Sequence, residues 1–111
     1  MTLELRTYTT APGQIEKLLE RFRNHTLDIF PTHGIHSIAY WQVQGQPDIL
    51  IYLVRHDNDP STNWASFQAD PHWIEVKKQS EADGPVVLHV TSYLLSPTDI
   101  WPEQISDRPI K

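Results

Sequence analysis

The spacing of apolar residues changes along the chain from a period of two to a helical period and back. Residues 3 to 10 alternate, with Leu3 and Leu5 opposite Glu4, which predicts a strand with two different faces. From residue 14 to about residue 32, apolar side chains recur every three or four positions opposite charged ones. This pattern predicts an amphipathic helix that lies on a sheet.

The next segments predict a hairpin. Gly34 is a natural end for the helix, and residues 35 to 44 are rich in β-branched and aromatic side chains. The residues at positions 45 to 48, Gly-Gln-Pro-Asp, favour a turn. Residues 49 to 56 follow as a largely apolar strand, so the two strands should pair with each other.

Two Asp-Pro pairs mark the second half of the chain. Asp59-Pro60 and Asp70-Pro71 each combine a capping carboxylate with a proline at the first helical position, which predicts short helices over about 60 to 68 and 71 to 82. After a Gly-Pro stop, residues 86 to 95 form the last predicted strand.

The element order is therefore β, α, β, β, α, β, which predicts an α+β fold of the ferredoxin-like type with an antiparallel sheet. In that topology the helices cover one face of the sheet. Residues 49 to 54 and 86 to 90 are apolar at nearly every position, so both faces of the sheet need cover. We therefore expect a homodimer in which two sheets pack face to face with the helices outside.

Length and composition narrow the class of protein. A chain of 111 residues suits a single core, and we expect a domain over residues 1 to 96 with an extended tail, residues 97 to 111, that packs on the dimer. The net charge is -5 and the nine Lys and Arg are scattered, so nucleic acid is not an expected partner. No apolar run approaches the length of a membrane span, and the start lacks a signal peptide's apolar stretch. These features predict a cytoplasmic protein without a membrane partner. The absence of cysteine excludes disulfides and thiolate sites.

Several segments in this order and spacing resemble the NIPSNAP family of dimeric α+β barrel proteins. They are LELRTYTTAPG, HTLDIFPTHGI followed by YW, ILIYLVRH and ADPHW, and together they extend from about Leu3 to Leu95. The resemblance implies the same fold and a dimeric barrel, but it implies no established reaction. The wider barrel group includes cofactor-independent monooxygenases, haem-binding proteins and proteins without known catalysis, an analogy at the level of the fold only.

Three residues are candidates for catalysis. The spacing of His25 from Leu18 and Phe22 places it on the helix face that meets the sheet, where it could act as a base or proton donor. Arg6 and Tyr8 share one face of the first strand and could stabilise an oxyanion. The alternatives stay open: His25 could be a buried imidazole bonded to the backbone, and Arg6 could belong to an ion-pair network with Glu4.

A second group of side chains could line a pocket for a small apolar or aromatic molecule. These candidates for ligand binding are Tyr40, Trp41, His33, Tyr52 and Trp73. The aromatic members could equally be core or dimer contacts. The chain has six histidines, but none form a metal-binding pair at helical spacing, so no metal site is predicted.

The sequence supports one leading hypothesis and two alternatives. The leading hypothesis is a NIPSNAP-type dimer that binds a small aromatic or apolar molecule between the first helix and the sheet, with no cofactor. Monooxygenase-like chemistry is one extension of this hypothesis, and whether the protein is an enzyme is left open. The alternatives are a non-catalytic protein-interaction module and a haem-binding protein with His25 as ligand.

Overall fold

The computed structural model describes residues 2–100 and contains one antiparallel sheet of four strands in the order β2-β3-β1-β4. The strands are β1 (Thr2–Thr10), β2 (Ile35–Val43), β3 (Gln46–His56) and β4 (Val87–Leu95). The α+β, ferredoxin-like order predicted from the sequence is confirmed. β3 begins at Gln46 rather than at Ile49, because the hairpin turn is reduced to residues 44 and 45.

The first crossover is one continuous helical stretch whose winding changes along its length. It consists of α1 (Ile15–Arg21), a π-helical turn (Phe22–Thr26), a short α2 (Leu27–Ile29) and a 3-10 turn (Phe30–His33). Gly34 ends the stretch in the left-handed conformation, with φ of +76°. The wider π-helical turn rotates the side chains that follow Arg21 away from their places in a uniform α-helix. As a result Thr26 is buried, and its hydroxyl donates to the Arg21 carbonyl at 3.2 Å.

The second crossover contains the two short helices expected from the Asp-Pro pairs, α3 (Pro60–Gln68) and α4 (Pro71–Ser80). The Asp59 carboxylate accepts a hydrogen bond from the Thr62 backbone N–H at 2.9 Å. The Asp70 carboxylate accepts one from the His72 backbone N–H at 2.8 Å. Both predicted caps are therefore present, and each satisfies a backbone donor that the helix itself leaves unpaired.

The core lies between the helices and one face of the sheet. Leu50, Tyr52 and Val54 of β3 are almost completely buried, and they pack against Leu18 and Phe30 of the first helical stretch. Alternation along β3 sends these three side chains to the helix-covered face and the residues between them to the other.

Within residues 2–100, no helix lies on the second face of the sheet. Trp41 pairs with Ile51 on this face, and Trp41 is 51% exposed and Tyr93 of β4 66% exposed. The apolar character of both faces, expected from the sequence, is thus present in the fold. Pairing of two chains through the open face stays a prediction.

β2 contains an irregularity that sequence alternation does not reveal. The register against β3 shifts between Ser37 and Ala39, so that Ser37 pairs with Val54 while Ala39 pairs with Leu53. The extra residue reverses the alternation beyond it. His36 and Tyr40, which simple alternation places on the same face, therefore lie on opposite faces.

The predicted tail lies mostly outside the described residues. Residues 96 to 100 follow β4 without regular secondary structure, and residues 101 to 111 are outside the described range, so the packing of the tail stays a prediction. Between residues 2 and 100, no helix combines the length and the apolar character needed to cross a membrane.

Candidate functional site

A cavity, here called the main pocket, opens between the second crossover and one half of the sheet. It has a volume of about 620 Å³, within the range of small-molecule sites. β1 and β4 form its floor, α3 and α4 form its wall, and α1 contributes one arginine. Its lining consists of Arg6, Tyr8, Arg21, Trp64, Phe67, Gln68, Trp73, Ile74, Lys77, Lys78, Glu81, Val87 and Val90.

This position differs from the one predicted, which was between the first helix and the sheet. That space is filled, because Leu18, Phe22 and Phe30 are each at most 6% exposed and pack on the sheet. Phe22 lies edge-on to Tyr52 with ring centroids 5.2 Å apart. The cavity forms instead where α4 stands away from β4, whose Val90 is 48% exposed.

Three aromatic side chains of the second crossover form the wall of the main pocket. Trp64 and Phe67 of α3 lie 5.9 Å apart, and Phe67 and Trp73 of α4 lie 4.6 Å apart, measured between ring centroids. The helix break between α3 and α4 brings Trp73 beside Phe67. Trp73, one of the predicted ligand-binding residues, is therefore part of the pocket lining.

Arg6 lies on the floor of the pocket and is held on several sides. Its guanidinium carbon is 4.1 Å from the centroid of the Trp64 ring. Its Nε donates to the Tyr52 hydroxyl at 2.9 Å and one Nη donates to the Tyr8 hydroxyl at 3.2 Å. Although burial acts to lower it, the phenols of Tyr8 and Tyr52 and the Glu4 carboxylate raise the pKa of Arg6. The predicted pair Arg6 and Tyr8 is thus placed together in the pocket as a fixed cation and a phenol.

Glu4 forms an ion pair with Arg6. Its Oε2 accepts hydrogen bonds from Arg6 at 2.8 Å and from Ser92 at 2.5 Å, and its Oε1 accepts from Trp64 and His56, both at 2.7 Å. Burial acts to raise the pKa of Glu4, but these four hydrogen bonds lower it to about 2. The carboxylate is therefore ionised and fully engaged, and it is not available as a general base. The ion pair between Glu4 and Arg6, one of the structural alternatives from the sequence, is present.

His56 continues this network into the core. Asn63 Nδ2 lies 3.1 Å from His56 Nδ1 and also donates to the carbonyls of Asp57 and Gly34, at 2.7 and 3.3 Å. Asn63 Nδ2 is a donor group and Glu4 is an acceptor, and this arrangement matches a His56 tautomer that accepts at Nδ1 and donates from Nε2 to Glu4. The sequence contains no spacing that would have paired these residues, because they come from β1, β3 and α3.

A cluster of three phenols lies behind Arg6, in which Tyr52 is buried and Tyr8 and Tyr40 are half-buried. The Tyr52 hydroxyl donates to the Tyr8 hydroxyl at 2.9 Å, and the Tyr52 ring stacks on Tyr40 at 5.0 Å. Burial raises the pKa of Tyr40 to about 12 and, with help from Tyr8, raises that of Tyr52 well above its ordinary value. Tyr52 and Tyr40 are core residues that support the site, whereas Tyr8 reaches the pocket itself.

His25 does not face the sheet. The π-helical turn rotates it outward, and its ring lies edge-on to His72 of α4, with centroids 5.8 Å apart. It lines a smaller pocket of about 280 Å³ between α1 and α4, away from the floor where Arg6 and Tyr8 lie. The expected grouping of His25 with Arg6 and Tyr8 is therefore not found, because a uniform helical period was assumed through a segment that is not uniform.

Two other predicted residues lie away from the main pocket. Trp41 is on the open face of the sheet, opposite to the helices. His33 joins the helical stretches: its Nδ1 lies 2.5 Å from Ser66 Oγ and its Nε2 lies 2.6 Å from Asp70 Oδ2. In the described part of the chain, no cluster of three or more histidine and acidic residues is placed to hold a metal ion. None of the histidines between residues 2 and 100 lines the main pocket.

Arg21 is the functional candidate that the sequence did not indicate. It is buried at the end of α1, and its guanidinium carbon lies 5.0 Å from the centroid of the Trp73 ring. One Nη donates to Ser80 Oγ at 3.1 Å, while its Nε is buried without a hydrogen-bond partner among the described residues. Helical periodicity places Arg21 with the charged residues that should face solvent, so its burial depends on where α4 packs.

Comparison with solved structures shows the same fold in other proteins. A NIPSNAP family protein of unknown function from Agrobacterium tumefaciens is 20% identical with a TM-score of 0.74, and the match covers 92% of each chain. An uncharacterized NIPSNAP-like domain protein from Burkholderia xenovorans is 22% identical with a TM-score of 0.73, over 91% of this chain and 88% of that one. A putative antibiotic biosynthesis monooxygenase from Nitrosomonas europaea is 11% identical with a TM-score of 0.62, over 87% and 98%.

At the level of sequence, a search of curated proteins finds no significant relative. The sequence profile of the NIPSNAP family, however, matches residues 3–102, which is nearly the whole chain. The order of segments that suggested the resemblance and the fold of the structural neighbours agree with that match. The chain belongs to the NIPSNAP family.

Proposed function

We propose that the main pocket binds a small aromatic molecule. The observation that carries this proposal is the wall formed by Trp64, Phe67 and Trp73 around a cavity of about 620 Å³. Aromatic side chains bind a flat apolar body by stacking or edge contacts, each contributing about 0.5–1.5 kcal/mol beyond its buried area.

Arg6 and Tyr8 give this pocket a polar end. The guanidinium of Arg6 is fixed by Glu4 and Tyr52, so little conformational freedom is lost when a ligand oxygen binds there. A fixed cation and a phenol can together stabilise a phenolate or enolate oxygen. This supports the role of Arg6 and Tyr8 as oxyanion-binding residues, and it separates them from His25, which lies in the other pocket.

Monooxygenase-like chemistry gains little support from this arrangement. His25, the expected general base, lines the smaller pocket and not the main pocket. The pKa of Glu4 is too low for Glu4 to act as a general base. The protein from Nitrosomonas europaea shares the fold, but its sequence identity of 11% is too low to infer a shared activity. The proposal is therefore ligand binding, with polarisation of a ligand oxygen as its chemical consequence.

Isothermal titration calorimetry with 2-naphthol tests the proposal. The substitution Trp73→Leu should weaken binding about threefold to tenfold, since one aromatic contact is lost. Trp41→Leu is the matched control, because Trp41 lies on the opposite face of the sheet. The proposal is wrong if the native protein does not bind 2-naphthol at millimolar concentration, or if Trp41→Leu weakens binding as much as Trp73→Leu does.

A further inference from the structure

The main pocket is positively charged in a protein that is acidic overall. Its lining contains four cationic side chains and one acidic one, Glu81, whereas the net charge of the chain is -5. The charge of Arg6 is balanced by its ion pair with Glu4. Arg21, which meets Trp73 and α4 at the other end of the pocket, is buried and has no ion pair within residues 2–100.

Arg21 is a buried cation with most of its hydrogen-bonding capacity unused. The side chain is 6% exposed, and an arginine has five N–H donors. Among residues 2–100 it makes one side-chain hydrogen bond, from Nη1 to the Ser80 hydroxyl, and its Nε has no partner. No carboxylate in that part of the chain lies within 4.0 Å of it, Glu81 included.

Such a group is costly for the fold alone. A buried charge normally has a counter-charge and a full set of hydrogen bonds, because removal from water is unfavourable. Burial also lowers the pKa of the Arg21 guanidinium, although arginine stays protonated in proteins. The planar face of Trp73 orients the guanidinium but supplies no acceptor atoms. The acceptor that matches a guanidinium edge is a carboxylate, which takes two parallel hydrogen bonds.

We propose that Arg21 binds the carboxylate of the ligand, so that the ligand class of the main pocket is an aromatic carboxylic acid. The inference rests on the proposed function, since the aromatic body is the part that Trp64, Phe67 and Trp73 contact. It adds a charge requirement and makes Arg21 the residue that determines specificity. Arg6 and Tyr8 then receive any second oxygen of the ligand at the far end of the pocket.

Paired probes test this inference. Benzoate, 2-naphthoate and anthracene-2-carboxylate are each titrated beside the corresponding neutral amide, which has nearly the same shape. The native protein should bind the fitting acid about tenfold to a hundredfold more tightly than its amide, the range for a charge-assisted pair. Arg21→Met should abolish this preference, because acid binding should weaken to the level of the amide. Arg23→Met, an exposed arginine two residues along the chain, makes the same change in net charge and should retain the preference.

Unfolding by urea distinguishes ligand binding from a structural role. If Arg21 serves mainly to stabilise the end of α4 through Ser80, Arg21→Met should lower the unfolding midpoint clearly, and that outcome contradicts the inference. We expect a midpoint equal to or above that of the native protein, because an unsatisfied buried cation is removed. If Arg21→Met does not fold, Arg21→Lys, which keeps the charge without the fork, must still weaken acid binding more than amide binding.

The outcomes separate the two proposals. Equal binding of acid and amide, unaffected by Arg21→Met, overturns the carboxylate inference and leaves the aromatic pocket in place. Loss of acid preference in Arg23→Met to the same extent as in Arg21→Met also overturns it, because long-range charge would then explain the effect. If no acid and no amide binds, both the proposed function and this inference are wrong.

Discussion

Glu4 lies beneath the main pocket, and its replacement by glutamine should destabilise the protein in a manner that depends on pH. Glu4 is 2% exposed, and its carboxylate accepts four hydrogen bonds. The side-chain oxygen of a glutamine can still accept the hydrogen bonds from Trp64 and His56. Its NH₂ group would then face the donor groups of Arg6 and Ser92, so these two hydrogen bonds would be lost.

The size of the effect follows from the pKa of Glu4. The hydrogen bonds lower this pKa from 4.5 to about 2 in the folded protein. One pH unit of difference corresponds to about 1.4 kcal/mol, so the ionised carboxylate contributes about 3 kcal/mol at neutral pH. Because the folded pKa is the lower one, this stability is fully present above about pH 4.5. It decreases as the pH falls toward 2, with about 1 kcal/mol left at pH 3.

Urea unfolding of the native protein and of Glu4→Gln, at several values between pH 7 and pH 3, measures this difference. The two free energies of unfolding should differ by about 3 kcal/mol at pH 7 and by much less at pH 3. Glu20→Gln, the same change at an exposed position of α1, is the control and should have little effect. A difference between native protein and Glu4→Gln that stays constant from pH 7 to pH 3 would refute the reasoning.

Three further predictions test other parts of the structure. Gly34→Ala places a Cβ 3.1 Å from Asn63 Oδ1 and should lower the free energy of unfolding in urea by about 1–2 kcal/mol. Gly13→Ala, at a similar φ of +77° but with open space around the Cβ, should lower it less, and equal losses would mean that the Asn63 contact is unimportant. Tyr52→Phe should cost about 1 kcal/mol by thermal unfolding, since the buried hydroxyl bonded to Arg6 and Tyr8 is lost while the ring remains; no loss contradicts the network. Trp41→Ser should weaken self-association in analytical ultracentrifugation, whereas Ile74→Ser, on the helix side, should not; a protein that is already monomeric contradicts the predicted dimer.

Most of the fold was predictable from the sequence, because the relevant signals are local. The two Asp-Pro pairs place the starts of α3 and α4, since a capping carboxylate and a proline act on the backbone within a few residues. The hairpin between β2 and β3 follows from a glycine between two strands with β-forming residues. The apolar character of both sheet faces is likewise visible in residues 49 to 54.

The errors arose where a regular period was assumed across an irregular segment. The π-helical turn at Phe22–Thr26 moved His25 to the outside, and the shift in β2 separated His36 from Tyr40. A wider turn or an extra residue is decided by how the surrounding side chains pack, and the pattern of apolar positions gives no sign of it.

The sequence by itself determined the order of the helices and strands and the positions of apolar, charged and aromatic side chains along them, because backbone propensity and periodicity act over short distances. It also identified Arg6, Tyr8 and Trp73, which line the main pocket. The tertiary structure alone decided that Glu4 would also accept a hydrogen bond from Trp64 and that Arg21 would be buried beside Trp73. These relations join residues far apart in the chain, and they depend on how α3 and α4 pack over the sheet, which no local signal specifies.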